Sequence, residues 1–252
     1  MRLFGYAYVA MRISLSRLPA SLVVVLLFSI TAISQTPALT TDDTNAIQAL
    51  VTGYAQALSA CRAEEYADLF APNTGYFASG IRGRVVGRDL LIALVQSERQ
   101  CITTQGAAAP APRPGGGTGP KVNIEVTATG ARGIADLGAA GQYQDEYVKT
   151  PKGWRFASRT VLTPAEKAAG LDAVEMLAIQ RIAGADLGDY YVPDQNGVKR
   201  LRTSGVAIAV TGGAITGHAY LKTGGYYDDV YEKIAPGQWR IKSRTLVPAT
   251  TP

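Results

Sequence analysis

The chain carries one stretch twice. Residues 122 to 161 read VNIEVTATGARGIADLGAAGQYQDEYVKTPKGWRFASRTV, and 206 to 246 read VAIAVTGGAITGHAYLKTGGYYDDVYEKIAPGQWRIKSRTL. From Ile124 to Lys149 the second copy follows at a constant offset of 84 residues, pairing Gly133 with Gly217, Tyr143 with Tyr227, Asp145 with Asp229 and Tyr147 with Tyr231. One residue is inserted in the next turn, after which Trp154, Arg155, Ser158 and Arg159 match Trp239, Arg240, Ser243 and Arg244. So many ordered matches mean one supersecondary unit used twice. Alternating apolar and polar residues between glycine-rich turns predict antiparallel strands, in the first copy at about 122–128, 131–138, 140–150 and 153–162.

Helical spacing governs the preceding segment. Ile47, Leu50, Val51, Tyr54, Leu58 and Cys61 predict an amphipathic helix over 42–61, with Thr41 as its cap and Asp42 and Asp43 in the first turn. A short helix over 64–70, a hairpin over 74–86 and a third helix from about 89 to 100 follow. The Ala/Pro/Gly stretch within 103–121 has almost no charge and reads as a flexible surface loop. After the first sheet unit, Thr163-Pro164-Ala165-Glu166 is a capping box. It predicts a helix to about Gly184 with Leu171, Val174, Leu177, Ala178 and Ile182 on its apolar face. A polar connector, 186–202, leads into the second copy.

The first 34 residues read as a signal peptide: Arg2, Arg12 and Arg17, the apolar run Leu22 to Phe28, then the small-x-small Ala32-Ile33-Ser34. Met11 would serve equally well as the start. The apolar run is short of the roughly 20 residues a membrane-spanning helix needs, so no stable membrane anchor is expected. Localisation is therefore expected to be periplasmic or secreted. Removing this leader takes three arginines and no acid from 25 basic and 20 acidic residues, leaving a formal charge of +2. With no basic stripe interleaved with aromatics, nucleic acid is not an expected partner. In an oxidising compartment the two cysteines, Cys61 and Cys101, are read as a disulfide. A metal site is disfavoured because the single histidine, His218, lies in the other half of the chain. No cofactor is expected. A phosphate loop at Gly115 to Gly119 is excluded, since no lysine with serine or threonine follows.

Several segments together resemble the nuclear transport factor two-like superfamily, in particular its SnoaL-like domains, with ketosteroid isomerases and scytalone dehydratases as relatives. They are IQALVTGYAQAL, EEYADLFAPNTGYF, GRVVGRDLL and the ending GQYQDEYVKTPKGWRFASR. The resemblance implies an α+β fold over 35–162: a cone-shaped, curved antiparallel sheet packed on three N-terminal helices. Residues 163–252 then add a helix and the second sheet unit, which either extends the first sheet, builds a second cone or pairs across a homodimer. A cone would be lined by Tyr54, Tyr66, Tyr76, Arg82, Arg88 and the inward face of the sheet, including Tyr147. Such a cavity suits a small hydrophobic or aromatic ligand.

For chemistry, period two places Tyr143, Asp145 and Tyr147 on one strand face, a carboxylate between two phenols. As a site this would be a general base beside hydrogen-bond donors, suited to isomerase, cyclase or dehydratase proton transfer. As structure it would be a cross-strand ion pair: if Val148 faces Trp154, both Arg155 and Arg159 share the face of Asp145. His218 stands where the first copy has Ile134, and marks either a specialised site or an exposed edge. Relatives that perform catalysis carry an aspartate near the end of the first helix, whereas here the stretch reads Leu58-Ser59-Ala60-Cys61-Arg62. Two functions remain open: small-molecule binding with proton-transfer chemistry, or a non-catalytic structural or oligomerisation module.

Overall fold

A computed structural model describes residues 38–102 and 119–249. The expected signal peptide and most of the Ala/Pro/Gly stretch lie outside these residues. The chain begins with α1 (Thr41–Ser59), opened by a capping box in which the Thr40 hydroxyl accepts from the Asp43 backbone. Its buried side chains, Ile47, Leu50, Val51, Tyr54 and Ala57, recur at helical spacing. Next come α2 (Ala63–Asp68), β1 (Tyr76–Ser79), β2 (Gly83–Val86), α3 (Arg88–Gln96) and the single turn α4 (Arg99–Ile102). Cys101 in α4 is disulfide-bonded to Cys61 at the end of α1. Strands β3 (Asn123–Thr127), β4 (Gly130–Asp136), β5 (Gln142–Thr150) and β6 (Gly153–Leu162) form an antiparallel meander.

The predicted single helix after this meander is two helices, α5 (Pro164–Ala168) and α6 (Ala173–Ala183), parted at Gly170 and Leu171. Asp172 caps the second by accepting from the Glu175 backbone. The polar connector is also structured. It folds as a hairpin of β7 (Asp189–Pro193) and β8 (Lys199–Ser204) about Asn196 and Gly197, and Ser204 bridges Gly83 of β2 in parallel. One large sheet therefore runs in the order β3-β4-β5-β6-β1-β2-β8-β7. Strands β9 (Val206–Thr211), β10 (Ala214–Tyr220), β11 (Tyr226–Ala235) and β12 (Gln238–Val247) make a separate four-stranded meander.

Each meander buries its apolar face on one helix. The first core joins Ile47, Val51 and Tyr54 of α1 to Tyr147, Trp154 and Phe156 of the large sheet. The second joins Met176, Ile179 and Ala183 of α6 to Ile208, Ile215, Tyr231 and Trp239. The second sheet thus covers its apolar surface within the same chain. Of the apolar face predicted for α6, Leu171 is buried and Ile182 packs on this core, but Val174 is 66 % exposed. Met176, Ile179 and Ala183 lie deepest, with Ala178 packed beside them, and Val174 and Leu177 turn toward the large sheet, so α6 is apolar on two sides.

Candidate functional site

Tyr143, Asp145 and Tyr147 meet on the face of the large sheet that packs on α1, as their alternation requires. Asp145 is 2 % exposed. Its Oδ1 accepts from Arg159 Nε at 2.9 Å, and its Oδ2 accepts from Arg159 Nη2 and the Tyr147 hydroxyl, both at 2.7 Å. Arg159 faces Asp145 directly across the β5–β6 ladder. Arg155 does not share this face: Lys149, rather than Val148, faces Trp154, and a bulge between Tyr147 and Glu146 shifts the register before Arg159. Arg155 instead donates to the Trp154 carbonyl.

The Arg159 guanidinium fills the space where a hollow was expected. It lies 4.1 Å from the ring centres of Tyr54 and Tyr143 and 4.3 Å from that of Phe156. Tyr66 closes the cluster, with its ring centre 5.0 Å from Tyr54. Burial alone would lower the arginine pKa, but the Asp145 carboxylate outweighs it and leaves Arg159 above its ordinary range. Burial likewise raises Tyr54, Tyr66, Tyr143 and Tyr147, with Asp145 adding to the effect at Tyr147. These phenols stay protonated at any physiological pH, and the expected ligand-lining residues Tyr54, Tyr66 and Tyr147 are packed core.

The second meander repeats the cluster. The Tyr231 hydroxyl donates to Asp229 Oδ2 at 2.9 Å, and Arg244 binds both oxygens of Asp229 at 2.7 Å. In each copy a glycine lies beside the aspartate in the ladder: Gly133 faces Asp145 and Gly217 faces Asp229. A Cβ at Gly133 would come within 2.8 Å of the Tyr147 ring, and one at Gly217 within 2.9 Å of the Tyr231 ring. The glycines make room for the tyrosines that hold the carboxylates.

A second repeated device was not anticipated from the sequence. The third residue of α1, Asp43, accepts from Trp154 Nε1 and Lys149 Nζ, both at 2.8 Å. The third residue of α6, Glu175, accepts from Trp239 Nε1, from Lys233 Nζ at 2.7 Å and from the Gly237 backbone at 3.0 Å. The repeated Trp and Lys were visible, but their carboxylate partners lie in helices outside the repeat. At Asp43 the Lys149 and Trp154 hydrogen bonds pull the pKa below the ordinary carboxylate range. At Glu175 burial opposes the shift, but Lys233, Gly237 and Trp239 together still lower it. Carboxylates depressed in the folded state stabilise fully above their unfolded pKa and lose that stabilisation as pH falls through the folded one. For Glu175 the loss begins below its ordinary value of 4.5. Glu175→Gln is therefore expected to flatten the acid limb of a plot of urea-unfolding stability against pH, and a limb as steep as wild type would contradict this.

The other face of the large sheet and the second apolar side of α6 enclose a groove of about 480 Å³. Ile134, Gln144, Glu146 and Ser158 supply the sheet side, with Val174, Leu177, Ala178 and Arg181 opposite and Tyr76 and Arg132 among its walls. Gln144 Oε1 ties the two sides together by accepting from the Ala173 backbone at 2.8 Å. Ile134 is 44 % exposed here, so the groove presents apolar surface to solvent. Asp145 belongs to its floor, but its carboxylate is bonded on the opposite face.

A family model described as a SnoaL-like domain matches residues 40–160. Those residues are a SnoaL-like domain. Solved structures similar to the chain include a Mycobacterium tuberculosis protein of unknown function, with 21 % identity over 49 % of this chain and 77 % of that one, TM-score 0.35. A Novosphingobium aromaticivorans NTF2-like protein with a cystatin-like fold matches at 19 % identity over 50 % and 88 %, TM-score 0.35. A ketosteroid isomerase-like protein from Erwinia carotovora atroseptica matches at 14 % identity over 50 % and 100 %, TM-score 0.31. None of the curated proteins compared with the chain matches it.

Within the SnoaL-like domain the remaining expected site residues disperse. Tyr76 reaches the groove and carries the Arg84 guanidinium 4.3 Å above its ring. Arg88 forms an exposed ion pair with Asp68 at 2.9 Å, and Arg82 pairs with Glu98 at 2.8 Å. His218 lies outside the domain on β10, half exposed, 3.6 Å from Asp228 and with its ring centre 4.5 Å from that of Tyr226. Asp228 is its acidic neighbour. Among the described residues no helix is long and apolar enough to cross a membrane.

Proposed function

We propose that the chain is an exported, non-catalytic binding protein that takes a small, flat apolar or aromatic molecule into the groove between the SnoaL-like sheet and α6. The observation that carries the non-catalytic part is the state of Asp145. Both of its oxygens are engaged by Arg159, one also by Tyr147, and both residues are buried. A general base must reach the proton it removes, and this one is turned away from the groove. The same pairing recurs at Asp229, which favours a structural role in both copies. Export is supported by the Arg-then-apolar leader and by the Cys61–Cys101 disulfide.

Binding is supported by the groove itself. Its volume falls within the range of small-molecule sites, roughly 300–1,000 Å³. Ile134, Val174 and Leu177 offer apolar contact. Arg132 and Arg181 form no ion pair among the described residues and suit a ligand bearing an acidic group. The fluorescent probe 1-anilinonaphthalene-8-sulfonate has these features. Leu177→Asp is expected to weaken its binding roughly 10- to 100-fold, the equivalent of losing one buried leucine contact, with the melting temperature little changed. Unaltered probe affinity in a folded Leu177→Asp protein would refute the site.

A further inference from the structure

A second, smaller cavity of about 190 Å³ lies where β2, α6 and the β7–β9 segment meet. Its walls include Arg84, Gln180, Leu187, Asp189, Ser204 and Val206. Two of them hold buried donors, Arg84 Nε and Gln180 Nε2, that find no acceptor among the described residues. Buried donors in folded proteins are nearly always paired, so two on one cavity point to an acceptor that belongs there. The Arg84 guanidinium is fixed by its stacking on Tyr76 and forms no ion pair among the described residues.

The same cavity carries an opposite charge. Asp189 Oδ1 accepts from the Ser204 hydroxyl at 2.6 Å, while its Oδ2 accepts from no described residue. Asp189 and Arg84 do not pair with each other. A simple anion would meet Arg84 but be repelled by Asp189, and a simple cation the reverse. A neutral ligand would leave the buried Arg84 Nε without a charged acceptor, while Asp189, exposed on β7, sets the opposite charge at the rim of the cavity. A zwitterion answers both. With a water's share of liquid near 30 Å³, the volume of about 190 Å³ equals that of about six waters, room for a small molecule.

We propose that this cavity binds a small zwitterion of the α-amino-acid type, its carboxylate on Arg84 and Gln180 and its ammonium on Asp189. Leu187 and Val206 supply apolar wall beside a small side chain. The site shares no residue with the groove and stands independently of the reading above.

Isothermal titration calorimetry of the full chain with L-alanine, propionate, alaninamide and L-lactate tests this. L-alanine is expected to bind, with propionate and alaninamide each at least tenfold weaker. Arg84→Met and Asp189→Asn are each expected to weaken L-alanine roughly 10- to 100-fold, as loss of a charge-assisted hydrogen bond does. Because Arg84 also stacks on Tyr76, Gln180→Met serves as the variant that leaves that stack intact, and it too is expected to weaken L-alanine. The proposal is overturned if L-alanine does not bind at millimolar concentration, if propionate or L-lactate binds as tightly, or if the folded variants keep wild-type affinity.

Discussion

Asp145→Ala is expected to destabilise the protein by about 3–5 kcal/mol, because it leaves the Arg159 charge buried without its partner. Arg159 is 0 % exposed, and its Nη1 lacks an acceptor among the described residues, so its charge is cut off from bulk solvent. The loss should appear as a lower urea midpoint with an unchanged slope. Asp229→Ala should cost less, since the Arg244 side chain is 28 % exposed and keeps its hydrogen bond to the Ala183 carbonyl. Removing both partners, as Asp145→Leu with Arg159→Met, should be less harmful than Asp145→Ala alone, because apolar groups of similar size need no pairing. A stable Asp145→Ala protein would instead mean that the ion pair is dispensable and that the carboxylate is there for chemistry.

The second large effect belongs to the disulfide. Cys61 and Cys101 close a loop with a sequence separation of 40 residues, tying the end of α1 to α4 across α2, the β1–β2 hairpin and α3. In the chain-entropy account such a cross-link restricts the unfolded chain by about 4 kcal/mol. Cys61→Ser with Cys101→Ser is expected to lose most of that and to melt well below the oxidised protein, with reduction of the wild type reproducing the shift. Coincident melting curves with and without reductant would contradict the assignment.

How far the fold could be read from the sequence depended on whether its signal was local. The strands of both meanders, α1 and the Cys61–Cys101 pairing follow from alternation, helical spacing and cysteine chemistry. The β7–β8 hairpin was missed because Asp189 to Ser204 reads as polar, and its pairing to Gly83 lies far away in sequence. The split of α5 from α6 was missed because Leu171 continued an apolar pattern that Gly170 interrupts. At the candidate site the alternation of Tyr143, Asp145 and Tyr147 was legible. The β5–β6 bulge, which admits Arg159 and turns Arg155 away, has no sequence signature of its own. The groove was invisible for a related reason: Val174 and Leu177 looked like core, and only the orientation of α6 between two sheets leaves them facing a gap.

The central claim is that the SnoaL-like core is filled from within by Arg159 and that ligand binds outside it, against α6. Crystals soaked with flat aromatic fragments test this most directly. Density is expected between Ile134 and Leu177, with Tyr54, Tyr143 and Phe156 still closed around the guanidinium. A fragment seated among those three rings, with Arg159 displaced from Asp145, would contradict the account.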